Sequence, residues 1–332
     1  MKTFRIVLSI ISMICLSFFV VACGENKDDT KKTTSASSKT ADKKDDTSIS
    51  QIDPPVQKEE LTYETFITDE CPLMKNIYHR GMGAVAPECT EQAYRLAAKA
   101  GYKYAENDLW FTSDGYPVMV HMKDLSVTSN GKGNVTDVTL EYLKSLDFGN
   151  ANKFGDKYKG TKVLTFEEWI ALCKELNIKP YIDCKMFAQT AYDGKHGIAT
   201  CFDILDKYGM RNDATWIVGV SGAISVRDVD KNARIAIIAT ENPTDEQFEQ
   251  IKSFADPNNR DKVVLNMASG MVTKELVEKY NSVNINVEAW VADENAYKNH
   301  ARVVSLYKMG VTGLTNDGVN IGLALKNAGF TW

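Results

Sequence analysis

Net positive charge is missing from this sequence. Its 332 residues hold 39 Lys and Arg against 44 Asp and Glu, a formal charge of −5. A polyanion finds no basic excess to neutralise, so nucleic acid is not an expected partner. The seven cysteines include no Cys-x-x-Cys pair, and two of them, Cys15 and Cys23, lie in the N-terminal segment. The remaining five, an odd number, are Cys71, Cys89, Cys173, Cys184 and Cys201. No zinc site is expected from them; they read as mostly free, partly buried thiols, and nothing in the sequence supports a Cys71–Cys89 bridge. No repeat of fixed short period is visible. The apolar run 6–21 is about 16 residues, short of the roughly 20 needed for a bilayer-spanning helix.

That run is preceded by Lys2 and Arg5 and followed by Ala22-Cys23-Gly24, the layout of a secretory signal over residues 1–22. Val20, Val21 and Ala22 before Cys23 resemble a bacterial lipobox, which implies cleavage before Cys23 and lipid attachment to its thiol. A plain signal peptide or a single span with an incidental cysteine is the competing reading. Residues 23–70 are dominated by Lys, Asp, Thr, Ser and Ala, too little apolar surface to offset ordering entropy, and are expected to form a flexible tether. The location implied is extracytoplasmic, on a bacterial cell membrane.

What remains, 71–332, is long enough for one large core. Short β-branched runs alternate with helix-period segments, the pattern of parallel strands joined by crossover helices, so the expected fold is α/β, a TIM-type (β/α)8 barrel. Eight strands are predicted at 75–79, 102–108, 180–185, 215–220, 234–239, 262–267, 286–292 and 311–315. Helices are predicted at 91–100, 165–176, 195–208, 244–254, 273–280 and 294–308. The turn signal Thr112-Ser113-Asp114-Gly115-Tyr116-Pro117 follows the second strand too closely for a parallel return. Residues 112–162 therefore read as an excursion, its first strand bringing His121 back over the barrel mouth.

Active sites of such barrels gather at the carboxyl ends of the strands. Strand one ends in His79-Arg80-Gly81, strand two in Glu106-x-Asp108, and strand three in Asp183-x-Lys185. Strand alternation puts Glu106 with Asp108, and Asp183 with Lys185, on common faces. Three carboxylates so placed repel one another unless a cation joins them, and hard oxygen ligands suit one divalent ion, Mg²⁺ or Ca²⁺. A salt-bridged strand end is the plainer alternative, but few basic residues apart from Arg80 and Lys185 stand at matching positions. His196 and His300 have Lys and Asn neighbours and read as solvated surface.

In order, His79-Arg80-Gly81, Pro87-Glu88-Cys89-Thr90, Glu106-x-Asp108, Thr112-Ser113-Asp114-Gly115, Val118-Met119-Val120-His121, Asp183-x-Lys185, Trp290 and Gly310-Val311-Thr312-Gly313-Leu314-Thr315-Asn316-Asp317 form a series. It resembles the glycerophosphodiester phosphodiesterase family, within the phospholipase C-like phosphodiesterase barrels. The resemblance implies metal-dependent hydrolysis of glycerophosphodiesters to glycerol 3-phosphate and an alcohol, the substrate being deacylated phospholipids or glycerol-phosphate polymers at the cell surface. It implies His79 and His121 as the acid/base pair acting through a cyclic phosphate, and Arg80 and Lys185 as phosphate ligands. Glu106, Asp108 and Asp183 would bind the divalent cation. Glu88 would orient the first histidine or the metal shell. Trp290 is either core or an aromatic wall for glycerol, and Glu288, on the same face, either bonds a substrate hydroxyl or satisfies a lysine.

Three positions depart from the family pattern: Met122 stands for an aspartate, Asp183 for a glutamate and Cys89 for an asparagine. Asp124 is a candidate to replace the missing carboxylate. These departures sustain a second hypothesis, a lipid-anchored protein that captures phosphodiesters or glycerol phosphate without cleaving them. A third is a related phospholipase C- or D-type reaction on phosphoinositide or sphingomyelin.

Overall fold

Eight parallel strands close into a barrel. In the computed structural model, which describes residues 61–185, 197–293 and 295–332, the strands are β1 Lys75–Tyr78, β2 Tyr104–Phe111, β3 Pro117–Met119, β4 Leu164–Thr165, β5 Lys179–Cys184, β6 Thr215–Val218, β7 Arg234–Ala239, β8 Val263–Ala268, β9 Asn286–Trp290 and β10 Gly313–Asn316. The circuit runs β1-β2-β5-β6-β7-β8-β9-β10, and β1 pairs in parallel with both β2 and β10. The helices are α1 Glu91–Lys99, α2 Leu140–Ser145, α3 Ala151–Phe154, α4 Phe166–Leu176, α5 Ile198–Lys207, α6 Val220–Val229, α7 Asp245–Lys252, α8 Lys274–Asn281, α9 His300–Met309 and α10 Ile321–Asn327. Among the described residues, no helix is long and apolar enough to cross a membrane.

The predicted excursion is present. Strand β3 runs antiparallel to the far end of β2, with Leu109 opposite Met119, and β4 adds antiparallel to β3. Between β3 and β4 the chain encloses its own apolar cluster, centred on Val118, Leu125, Val135 and Leu143. Because β2 continues to Phe111 to pair with β3, Glu106 and Asp108 lie within the strand rather than closing it.

Several boundaries shift for identifiable reasons. Thr165, Thr244 and Thr273, read as first helical residues, instead have extended backbones and cap α4, α7 and α8 through their hydroxyls. Thr165 and Glu168 form a reciprocal capping box. The predicted helix 294–308 is divided, since Asn299 caps a helix that starts only at His300. Helices α6 and α10 escaped the sequence reading. The folded part also begins earlier than residue 71: Phe66 is fully buried and the Thr68 amide donates to the Ala100 carbonyl, so 61–70 pack against the barrel rather than extending the tether.

The signal segment, Cys23, most of the tether and His196 lie outside the described residues. All five cysteines of the folded part are free thiols, and Cys71 alone is not fully buried.

The barrel interior is layered. Ile77, Tyr181, Ile217, Ala236 and Val264 form an apolar middle layer. Beneath it Glu288 meets Arg234 and Lys75; above it, at the carboxyl ends, lies the charged mouth.

Candidate active site

The turn after β1 sets the first group of residues. Arg80 and Gly81 both take left-handed backbones, φ 56° and 69°. A Cβ on Gly81 would sit 2.9 Å from the Ala93 Cβ, so the third residue of His79-Arg80-Gly81 must be glycine for α1 to pack so closely. The Arg80 amide donates to Glu106 Oε2 at 3.1 Å, fixing this costly turn against β2. Cys89 is also left-handed, φ 60°, a conformation that asparagine tolerates well; its thiol lies 4.0 Å from Asp108 Oδ2.

Each histidine has one ring nitrogen held by a carboxylate. His79 Nδ1 lies 2.9 Å from Asp317 Oδ1, and its Nε2 is 4.0 Å from Glu106 Oε2. His121 Nδ1 lies 2.7 Å from Glu88 Oε1. Such contacts fix tautomer and ring orientation and leave Nε2 for chemistry. Asp317 also accepts the Asp293 amide at 3.0 Å, tying the loop after β9 to His79. The sequence reading gave Asp317 no role, although it ends the quoted series. Glu88 orients the second histidine, not the first, because the segment after Gly81 crosses toward the β3 arm. Burial alone would raise its pKa, but the His121 hydrogen bond and the charges of His121 and Arg80 leave it lowered.

Glu106, Asp108 and Asp183 each offer an oxygen, and the three oxygens lie within 4.8 Å of one another. Burial first, then Asp108 and Asp183, push the Glu106 carboxyl well above its usual range; burial also raises Asp183, with Lys185 opposing. Two cations face the cluster. Arg80 Nε is 3.2 Å from Asp108 Oδ2, Lys185 Nζ is 2.9 Å from Asp108 Oδ1, and Lys185 also contacts Asp183. Burial works against the charges of both, but the carboxylates outweigh it and raise both pKa values. Yet Arg80 Nε and Asp108 Oδ1 are buried without a hydrogen-bond partner among the described residues. They are near enough for attraction and out of line for bonding. Three carboxylates against two cations, with an unsatisfied oxygen on the central one, fit a divalent cation held by Glu106, Asp108 and Asp183.

A cavity of about 170 Å³ opens beside this cluster, lined by His79, Arg80, Glu106, Asp183, Lys185 and Trp290 among others. Glu288 does not line it. Its Oε1 lies 2.8 Å from Arg234, 3.2 Å from Lys75 and accepts from the Tyr181 hydroxyl at 3.2 Å, at the amino end of the barrel. Glu288 shares a face with Trp290 but belongs to a lower layer, so of its two expected roles the substrate contact is corrected and the lysine partnership is found, with Arg234 as a second partner. Asp124 is also displaced from its expected role: it is exposed and accepts from the Ser126 amide and hydroxyl, opening the excursion loop. Met122 is exposed.

The profile of the "Glycerophosphoryl diester phosphodiesterase family" matches residues 79–321. Glycerophosphodiester phosphodiesterase 1 of Bos taurus is 36% identical over 117 residues, 35% of each chain, so the match spans about a third of that relative. A Bacillus subtilis protein provisionally named as a glycerophosphodiester phosphodiesterase is 26% identical over 249 residues, covering 73% of this chain and 93% of its own. Among solved structures, an Oleispira antarctica phosphodiesterase in complex with the product sn-glycerol-3-phosphate superposes with a TM-score of 0.65 at 21% identity, over 76% of this chain and 96% of that one. At that identity the likeness concerns the fold.

Proposed function

Since the chain belongs to the glycerophosphoryl diester phosphodiesterase family, we propose that it hydrolyses glycerophosphodiesters to glycerol 3-phosphate and an alcohol with the help of one divalent cation. The observation that carries this reading is the pairing of two carboxylate-held histidines with a three-carboxylate cluster and two cations. Arg80 and Lys185 take the phosphate oxygens. Glu106, Asp108 and Asp183 hold the cation, Mg²⁺ or Ca²⁺, which supplies positive charge to the phosphodiester when bound.

The two histidines divide the proton work. His79 borders the cavity, and with Nδ1 occupied by Asp317 its Nε2 accepts the proton of an attacking glycerol hydroxyl. His121, on the β3 arm outside the described cavity lining, protonates the departing alcohol, with Glu88 stabilising the charged ring. The hydroxyl oxygen bonds to phosphorus as the alcohol oxygen leaves, and water then opens the cyclic phosphate.

The test is release of glycerol 3-phosphate from glycerophosphocholine and glycerophosphoglycerol with Mg²⁺, Ca²⁺ or EDTA. EDTA-sensitive release is expected. A metal-dependent rise in Tm without product from either diester would overturn small-diester hydrolysis in favour of polymer cleavage or capture without cleavage. We also propose that Cys23 carries a lipid that anchors the exported protein to a membrane. Cys23→Ser should then move the protein from the membrane to the soluble fraction, and unchanged membrane association would refute the anchor.

A further inference from the structure

The chain reaches β1 over the outer wall of the barrel. Residues 61–70 lie ahead of residue 79, where the family match begins, and they are clasped by α1 and α10. The Thr68 amide donates to the carbonyl of Ala100, at the C-terminus of α1. The Asp69 amide donates to Oδ1 of Asn320, the residue that caps α10, and Asn320 Nδ2 donates to the Ile67 carbonyl.

This clasp holds the fully buried Phe66 at the carboxyl end of the barrel, in an apolar cluster with Tyr78, Met82 and Val85. Tyr78 immediately precedes His79, and Met82 and Val85 belong to the segment between Gly81 and Glu88. The Phe66 ring meets that of Tyr297 edge to face, with centroids 5.4 Å apart, in the loop after β9. It also packs on Gly318, the residue after Asp317. A Cβ there would sit 2.2 Å from Phe66 Cδ1, and Gly318 has φ 118°, so glycine is required on both counts. The Gly318 and Val319 amides donate to Asn316 Oδ1 at 2.9 and 2.7 Å, so the turn carrying Asp317 is bonded within itself and packed against Phe66. Asp317 in turn gives one oxygen to His79 and the other to the Asp293 amide of the β9 loop. One ring therefore backs both the turn that bears the carboxylate and the loop that the carboxylate ties down.

We propose that Phe66 is a positioning residue: supplied from outside the barrel, it holds the Asp317–Gly318 turn so that Asp317 orients His79. This rests on the hydrolase reading and adds a residue that does not line the cavity. Neighbours of a lost ring relax into the space it leaves. The contact between His79 and Asp317 is 2.9 Å, and one lengthened by about 1 Å is no longer a hydrogen bond. A misplacement of that size costs up to about 100-fold in rate.

The test is a mutant cycle of Phe66→Leu and Asp317→Asn, read as kcat and KM for glycerophosphocholine and glycerophosphoglycerol well below Tm. Phe66→Leu should lower kcat about 10-fold and leave KM within about twofold. Phe66→Met, which refills more of the volume, should recover most of that loss, and it carries the cycle if the leucine variant fails to fold. In the Asp317→Asn background the Phe66 substitution should lower kcat by less than about twofold, because the link it supports is already cut. General loosening, or a smaller folded fraction, would lower kcat by the same factor in both backgrounds. That result, or an unchanged kcat in Phe66→Leu, would overturn the proposal. A second readout needs no turnover. With isotope-labelled histidine, the ring-nitrogen NMR signals of His79 and His121 are assigned by their displacement in Asp317→Asn and Glu88→Gln. Phe66→Leu should move the His79 signals toward their positions in Asp317→Asn and leave those of His121 in place. Should neither diester be cleaved by the unmodified protein, the small-diester reading fails by itself, and unmoved His79 signals in Phe66→Leu would refute the positioning role.

Discussion

Replacing Glu288 by glutamine tests whether the barrel is layered as described. Glutamine keeps the shape and an acceptor oxygen, so the change removes charge alone. Lys75 retains Asp261 at 2.9 Å, but Arg234 loses its direct carboxylate partner and keeps only the Asp261 carbonyl, the Tyr181 hydroxyl and Thr215. A buried cation stripped of its partner costs about 3–5 kcal/mol. In a domain of this size each kcal/mol lowers Tm by about 2–4 °C, so a fall of about 6–20 °C is expected. The pH dependence carries the sign. Burial is the largest influence on Glu288 and raises its pKa, but Arg234 and Lys75 leave it below its ordinary 4.5. A carboxyl lowered on folding contributes stability that is complete above the unfolded value and lost as pH falls through the folded one. The acid limb of the Tm–pH curve, below about pH 4.5, should therefore be shallower in Glu288→Gln. Thermal unfolding by circular dichroism between pH 3 and pH 8, with glycerophosphodiester turnover measured well below Tm, makes the measurement. An unchanged Tm with a several-fold rise in KM would return Glu288 to the substrate and refute the layered interior.

Asp317→Asn leaves His79 without its carboxylate partner, and kcat should fall about 100-fold while KM and Tm move little. Undiminished kcat would show that Asp317 serves only the loop after β9. Asp108→Asn should abolish the metal-dependent rise in Tm, which in the unmodified protein corresponds to about 2.7 kcal/mol at a metal concentration 100 times Kd. Retention of that rise would place the cation elsewhere.

The strands were legible because a buried parallel strand announces itself as a short β-branched run, and every one of the eight barrel strands overlaps a predicted segment. The antiparallel β3 followed from chain length alone, since five residues cannot make a parallel crossover. Helix α6 was not legible: Val220-Ser221-Gly222-Ala223 has weak intrinsic helix preference, and it is packing of Ala223 and Val226 on the core that holds it.

Site residues divide along a related line. Glu106 with Asp108, and Asp183 with Lys185, could be paired from sequence because a pleat of two residues returns a side chain to the same face. The same rule misplaced Glu288. Two residues of strand advance about 6.6 Å, enough to pass from the mouth at Trp290 through a barrel layer to the ion pairs beneath. Facing inward is therefore not the same as facing the substrate. The rule is silent on Asp317, which meets His79 only because β10 closes the barrel against β1, placing Asn316 beside Tyr78 across 238 residues of chain. What marks Asp317 is the circuit of strands. A polar residue near a carboxyl end gains meaning from its neighbours around the barrel, and those neighbours are fixed by closure rather than by local spacing.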